Sequence, residues 1–136
     1  MYKKLAILTG LFAATVCPSL LAQQMEPMRV SIPFDFRIGA ENVPAGNYEI
    51  QASNGILMFR HEGRFVALTL TIPASRFNAP TTGLVQFHRY GNDYFLASIW
   101  TPYNNSGVAV PESKQEKEVA RLAGGALVQT AAVHAK

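Results

Sequence analysis

Lysine is missing from the middle of this chain. None occurs between Lys4 and Lys114, so every basic side chain across that stretch is arginine. Schiff-base chemistry has no amine there, and a lysine-to-asparagine crosslink has no donor. Cysteine is scarcer still: the single Cys17 excludes a disulfide framework, so burial must hold the fold without covalent help. Charged residues make up only 15% of the chain and their signs are interspersed, leaving no basic stripe for nucleic acid. No P-loop, dinucleotide glycine pattern or G-x-S-x-G elbow occurs. His61, His88 and His134 lie far apart with no metal-ligand spacing. Neither cofactor nor metal is expected, and no catalytic set stands out.

What is present begins with an address. Met1-Tyr2-Lys3-Lys4 is basic, Leu5 to Val16 is uncharged and mostly apolar, and Ser19-Leu20-Leu21-Ala22 ends in a small residue before Gln23-Gln24. That order is a secretory signal peptide over 1–22, and its apolar run of roughly 12 residues falls short of the ~20 a spanning helix needs. Cys17 follows Val16 where a lipoprotein signal wants a small residue, which favours free export over a lipid anchor. Cleavage after Ala22 leaves 114 residues, with ten basic side chains against nine acidic ones, a formal charge of +1. The expected location is secreted or periplasmic, with no transmembrane segment once the signal is removed.

The remainder divides into a β domain with a C-terminal helix over 23–124 and a small, apolar tail over 125–136. Residues 28–38 alternate, with Val30, Ile32, Phe34, Phe36 and Ile38 on one side; Pro33 implies an edge or a bulge. Tyr48, Ile50 and Ala52 alternate likewise. Asn54-Gly55 is a strong hairpin signal, and His61-Glu62-Gly63-Arg64 turns the chain again. Over Phe65–Ile72 the pattern places Val66, Leu68, Leu70 and Ile72 inward and Ala67, Thr69 and Thr71 outward, with Pro73 ending the strand. A two-residue Gly91-Asn92 loop sets Tyr90 opposite Asp93, Arg89 opposite Tyr94 and His88 opposite Phe95. Val85, Phe87, Leu96 and Trp100 then share one face; Leu84, Phe95, Ala97 and Ile99 share the other. A hairpin apolar on both faces is covered on both. The helix announced by Ser113-Lys114-Gln115-Glu116 is the expected cover: a capping box, followed by an apolar stripe of Val119, Leu122 and Ala123 and a stop at Gly124-Gly125. The chain is therefore expected to be mainly β, an antiparallel sandwich or small barrel of six or more strands with one C-terminal helix.

Candidate chemistry is thin. His88, central in a strand, is the one conceivable general base, although a histidine satisfied by a backbone carbonyl explains it as well. Asp35 is expected to face water and Asp93 to serve the turn. Arg89, Tyr90 and Tyr94, with Arg76, Trp100 and Tyr103, offer a cationic and aromatic surface for a glycan or an anionic polymer, or are simply good strand residues. Asn104-Asn105-Ser106 matches a glycosylation acceptor.

Pro33-Phe34-Asp35-Phe36-x-x-Gly39, then Val43-Pro44-Ala45-Gly46-x-Tyr48-x-Ile50, resembles a group of small secreted bacterial proteins of uncharacterised function. The similarity continues through Phe87-His88-Arg89-Tyr90-Gly91 and Ile99-Trp100-Thr101-Pro102, and spans most of residues 30–122. The Pro-Ala-Gly-x-Tyr element is also similar to prealbumin-like surface sandwiches, which implies a fold and no activity. Together these readings point to an exported, non-catalytic β domain that binds or scaffolds an envelope component, glycan or protein. The alternatives are a small-molecule carrier with an internal apolar cavity and a hydrolase using His88.

Overall fold

A computed structural model describes residues 26–123 and 129–135. The expected signal peptide, Cys17 and the expected stop at Gly124-Gly125 lie outside them. Among the described residues the order is β1 (Met28–Ile32), β2 (Phe36–Ile38), β3 (Glu41–Val43), β4 (Gly46–Ser53), β5 (Ile56–His61), β6 (Arg64–Leu70), β7 (Ile72–Ser75), β8 (Leu84–Tyr90), β9 (Asp93–Trp100), β10 (Ser106–Ala109), α1 (Lys114–Leu122) and β11 (Gln129–His134). The architecture is a β-sandwich. One sheet is antiparallel, in the order β1-β4-β5-β6. The other runs β11-β8-β9-β10-β7, with the β2–β3 hairpin joined to β9 in parallel through Arg37 and Phe95. No helix among the described residues is long and apolar enough to cross a membrane.

Turn chemistry sets the local pairings. Asn54 and Gly55 both take positive φ (52° and 76°), a type I′ geometry that matches the twist of β4 and β5. Glu62 and Gly63 repeat it at 50° and 75°, so the second hairpin seats a glutamate where its Cβ is disfavoured. At the third hairpin only Gly91 is positive, and Tyr90–Asp93, Arg89–Tyr94 and His88–Phe95 face one another as the spacing predicts.

Two bulges overturn the facing of the strands beyond those turns. In β6 the partner of Arg60 is Phe65 and that of Phe59 is Ala67, so Val66 is an extra residue. The phase slips by one beyond it: Ala67 is buried while Leu68, Leu70 and Ile72 are exposed, the reverse of the alternation read from the sequence, whereas Val66 packs against the core as that alternation has it. In β9, Ser98 pairs with Gln86 and Leu96 with Phe87, leaving Ala97 extra. Its carbonyl accepts a hydrogen bond from the Val110 N–H at 2.8 Å. Ile99 therefore joins Val85, Phe87 and Leu96 in the core, and Trp100 turns to the back with Leu84 and Phe95, exchanging the expected places of Ile99 and Trp100.

The two prolines mark crossings between sheets. The run over 28–38 breaks at Pro33, so β1 belongs to one sheet and β2 to the other. Pro73 does not end a strand; it lies inside β7, an edge strand where its missing N–H costs no ladder bond. At β10, a Cβ on Gly107 would come 2.5 Å from the Trp100 ring and 2.6 Å from the Ile99 carbonyl oxygen, so only glycine admits this approach. The tail supplies β11, which pairs with β8 from Gln129–Arg89 to His134–Leu84. Between the sheets the core is aromatic at its centre: Phe36 meets Phe87 with centroids 5.3 Å apart and Phe59 at 5.9 Å. Each such ring buried contributes about 1.5–3 kcal/mol by its removal from water.

Candidate functional site

Alternation along β8 places Gln86, His88 and Tyr90 on the back of the second sheet, away from the core that Val85 and Phe87 enter. The Ser113 hydroxyl caps α1 by accepting from the Glu116 N–H at 3.1 Å. Only this half of the expected capping box forms. The Glu116 side chain turns onto the sheet, where Oε1 sits 2.7 Å from His88 Nδ1 and accepts from the Tyr90 hydroxyl at 3.2 Å. Glu116 is 3% exposed and is the buried side chain of the helix, whereas Leu122 is 76% exposed. The helix thus docks through a carboxylate; of the expected stripe Val119 is half-buried, while Leu122 and Ala123 are exposed.

That geometry sets the protonation of the cluster. The hydrogen bond to Glu116 raises His88 above its ordinary range against the opposing effect of burial, and the charges of Glu116 and Glu112 add to the rise. Burial, then the Glu116 charge, pushes Tyr90 up to about 12. Glu112, exposed and one residue before the N-cap, brings a third candidate metal-ligand atom within 4.8 Å of those on His88 and Glu116. His88 and Glu116 are 28 residues apart, so no spacing in the sequence signalled the pair. The resemblance to a charge-oriented general base goes no further. Among the described residues no hydroxyl or thiol hydrogen-bonds to His88 Nε2, and a phenol raised to about 12 is a poor nucleophile at neutral pH.

Beside this cluster, Gln86 Oε1 accepts from Ser98 Oγ at 2.9 Å and from Trp100 Nε1 at 3.0 Å, which satisfies the indole on a face that is otherwise closed. Trp100 is 6% exposed with Arg76 stacked at 5.1 Å, and Tyr94 lies 3.8 Å from Phe34 in a parallel stack with Arg89 at 5.4 Å. With Tyr90 also buried, the arginines and aromatics form separate packed pairs, not the continuous glycan platform that the sequence suggested.

The residues that carried the family resemblance are engaged internally. Asp35 does not simply meet water: its Oδ1 accepts from the Ala45 N–H at 2.8 Å. The Tyr48 hydroxyl donates to the Pro44 carbonyl, and its ring meets Phe36 edge-on at 5.8 Å. Burial, then the Asp35 charge, raises Tyr48. The other histidines are likewise held: His61 Nδ1 lies 2.7 Å from the Asn47 carbonyl and His134 Nδ1 lies 2.9 Å from Thr82 Oγ1. Asn104 folds its side chain onto the Ser106 N–H at 2.9 Å. Two solvent-open depressions, of about 420 and 490 Å³, are lined by neither His88 nor Glu116; the first lies where the Pro44 turn meets the Asn92 turn.

A second candidate surface covers the outside of the four-stranded sheet. On β1 and β4 this face is polar, with Arg29, Ser31, Asn47, Glu49 and Gln51. On β5 and β6 it is apolar: Ile56 pairs with Leu70 and Met58 with Leu68, with Phe65 beside them. Leu70 is 71% exposed, Phe65 61% and Leu68 49%. Fold and sites together define a two-sheet β-sandwich with one helix docked on a mixed polar and aromatic back face and one apolar half-face left open. The chain matches no protein-family model, no curated protein and no solved structure.

Proposed function

We propose that this chain is an exported, non-catalytic β-sandwich that binds or scaffolds a component of the cell envelope through the outer face of β5 and β6. The single observation that carries the reading is the contiguous patch of Ile56, Phe65, Leu68 and Leu70, exposed beside a polar half-face. Patches of this kind on a soluble protein mark interaction sites, and their chemistry suits an apolar protein surface better than a sugar. The secretory leader supports the location, and the resemblance to small secreted bacterial proteins is consistent with it. A carrier would need an enclosed cavity, whereas Phe36, Phe59 and Phe87 occupy the space between the sheets. The test is fractionation of cells expressing the tagged chain, wild type against Leu70→Glu. Wild type should sediment with the envelope and the folded variant should be released from it. Retention of wild type in the cytoplasm removes the location, and equal behaviour of the two removes the face.

A further inference from the structure

We propose that His88, Glu112 and Glu116 form a site for a divalent cation of the zinc class, which fastens α1 to the back of the β8–β9 hairpin. One candidate ligand atom from each residue lies within 4.8 Å of the other two, and two of the three are already fixed by regular structure, one on a strand and one on a helix. Charge balance points to a cation independently of that geometry. Two carboxylates face one imidazole, so the cluster keeps a net negative charge even when His88 carries its proton. Among the described residues no lysine or arginine comes within ion-pair distance of either carboxylate, although Lys114 and Lys117 stand on the same helix. Glu116 is 3% exposed, and among the described residues its polar partners are His88 and the Tyr90 hydroxyl alone.

The donor set selects the ion. One imidazole nitrogen with two carboxylate oxygens suits zinc and its transition-metal neighbours, whereas calcium and magnesium prefer sets made of oxygen alone. Tyr90, donating to Glu116 Oε1, holds that carboxylate in orientation as outer partners of metal ligands do. Glu112 is exposed, and its long side chain is free to close the remaining gap.

The experiment is calorimetric titration of the EDTA-treated chain with zinc chloride, with thermal unfolding in parallel. The expected result is a saturable one-to-one heat and a rise in Tm with zinc, absent with calcium or magnesium. Glu112→Gln changes an exposed group, so it should unfold like wild type in EDTA yet lose affinity by at least about tenfold, the loss that even outer partners of a metal cause. His88→Gln should lose more, and the cobalt-loaded chain should show visible bands that vanish in His88→Gln. Absence of any zinc-dependent heat overturns the proposal. So does an affinity unchanged in both variants, which would put the ion at His61 or His134 instead.

Discussion

The two outward faces of the sandwich differ in what covers their side chains. The back of the second sheet mixes Leu84, Phe95 and Trp100 with Gln86, His88, Ser98 and the Tyr90 hydroxyl, and it is largely covered. The outer face of β5 and β6 carries leucine, isoleucine and phenylalanine, and it is open. Polarity is tolerated under the helix because each group has a partner: Glu116 for His88 and Tyr90, Gln86 for Ser98 and Trp100. Leu68 and Leu70 join Ile56 and Phe65 on the open face because a bulge at Val66 turned them there. Hydrogen-bond satisfaction decides what can be covered, and register decides what must be exposed.

The comparison can be broken at its strongest point within one sheet. Phe59 and Leu70 lie on neighbouring strands but on opposite faces. Phe59→Ala should cost about 3–5 kcal/mol through lost burial and the cavity left behind, read by denaturant unfolding. On the covered back face, Glu116→Ala strands the Tyr90 hydroxyl and removes the partner of His88. The expected loss is about 2–3 kcal/mol, with α1 amides exchanging earlier than those of β8 in hydrogen-exchange measurements.

The same face should also respond to alkali. Tyr90 is held at about 12 in the folded chain against an ordinary value near 10. A group whose folded value is raised contributes stability that is complete below the unfolded value and disappears as the pH climbs through the folded one. Stability should therefore fall between about pH 10 and 12. Tyr90→Phe should flatten that limb, and an unchanged alkaline profile would show that the buried phenol is not its source.

Smaller effects sharpen the contrast from the open side. Glu62 occupies the left-handed region at φ 50°, so Glu62→Gly should raise the melting temperature, a gain of about 0.5–1 kcal/mol by relief of strain in the β5–β6 turn. Leu70→Glu should change stability by no more than about 0.5 kcal/mol, since nothing covers the side chain, while abolishing envelope retention. A large loss of stability in that variant would mean that the face is closed in the native protein.

Much of the local structure was legible. Asn54-Gly55, Glu62-Gly63 and Gly91-Asn92 were legible as hairpin turns because glycine, and asparagine at 54, readily take the positive φ these turns need, although Glu62 adopts it against its preference. The alternation of Tyr48, Ile50 and Ala52 predicted their burial correctly, as did the N-cap at Ser113. The errors have a common cause. A single extra residue at Val66 and another at Ala97 each shift the period by one, and nothing in the local pattern announces a bulge. β7 and β10 escaped notice because each is four residues long and they pair with each other across more than thirty residues. Glu116 was legible as part of a capping motif but not as a docking group, since His88 and Tyr90 reach it only across the packed sheet.

By itself the sequence determined that this protein is mainly β, that it closes its hairpins at particular residues, and that it lacks any disulfide. Those properties follow from turn geometry, strand periodicity and the residues simply not present, all of which act over a few positions. Only the tertiary structure decided which face of β6 meets water, that Trp100 and Ile99 exchange places, and that a buried glutamate, not an apolar stripe, seats the helix. Each of these depends on pairing between distant segments, where one inserted residue reverses a face and a buried charge is stable only beside partners that folding brings to it.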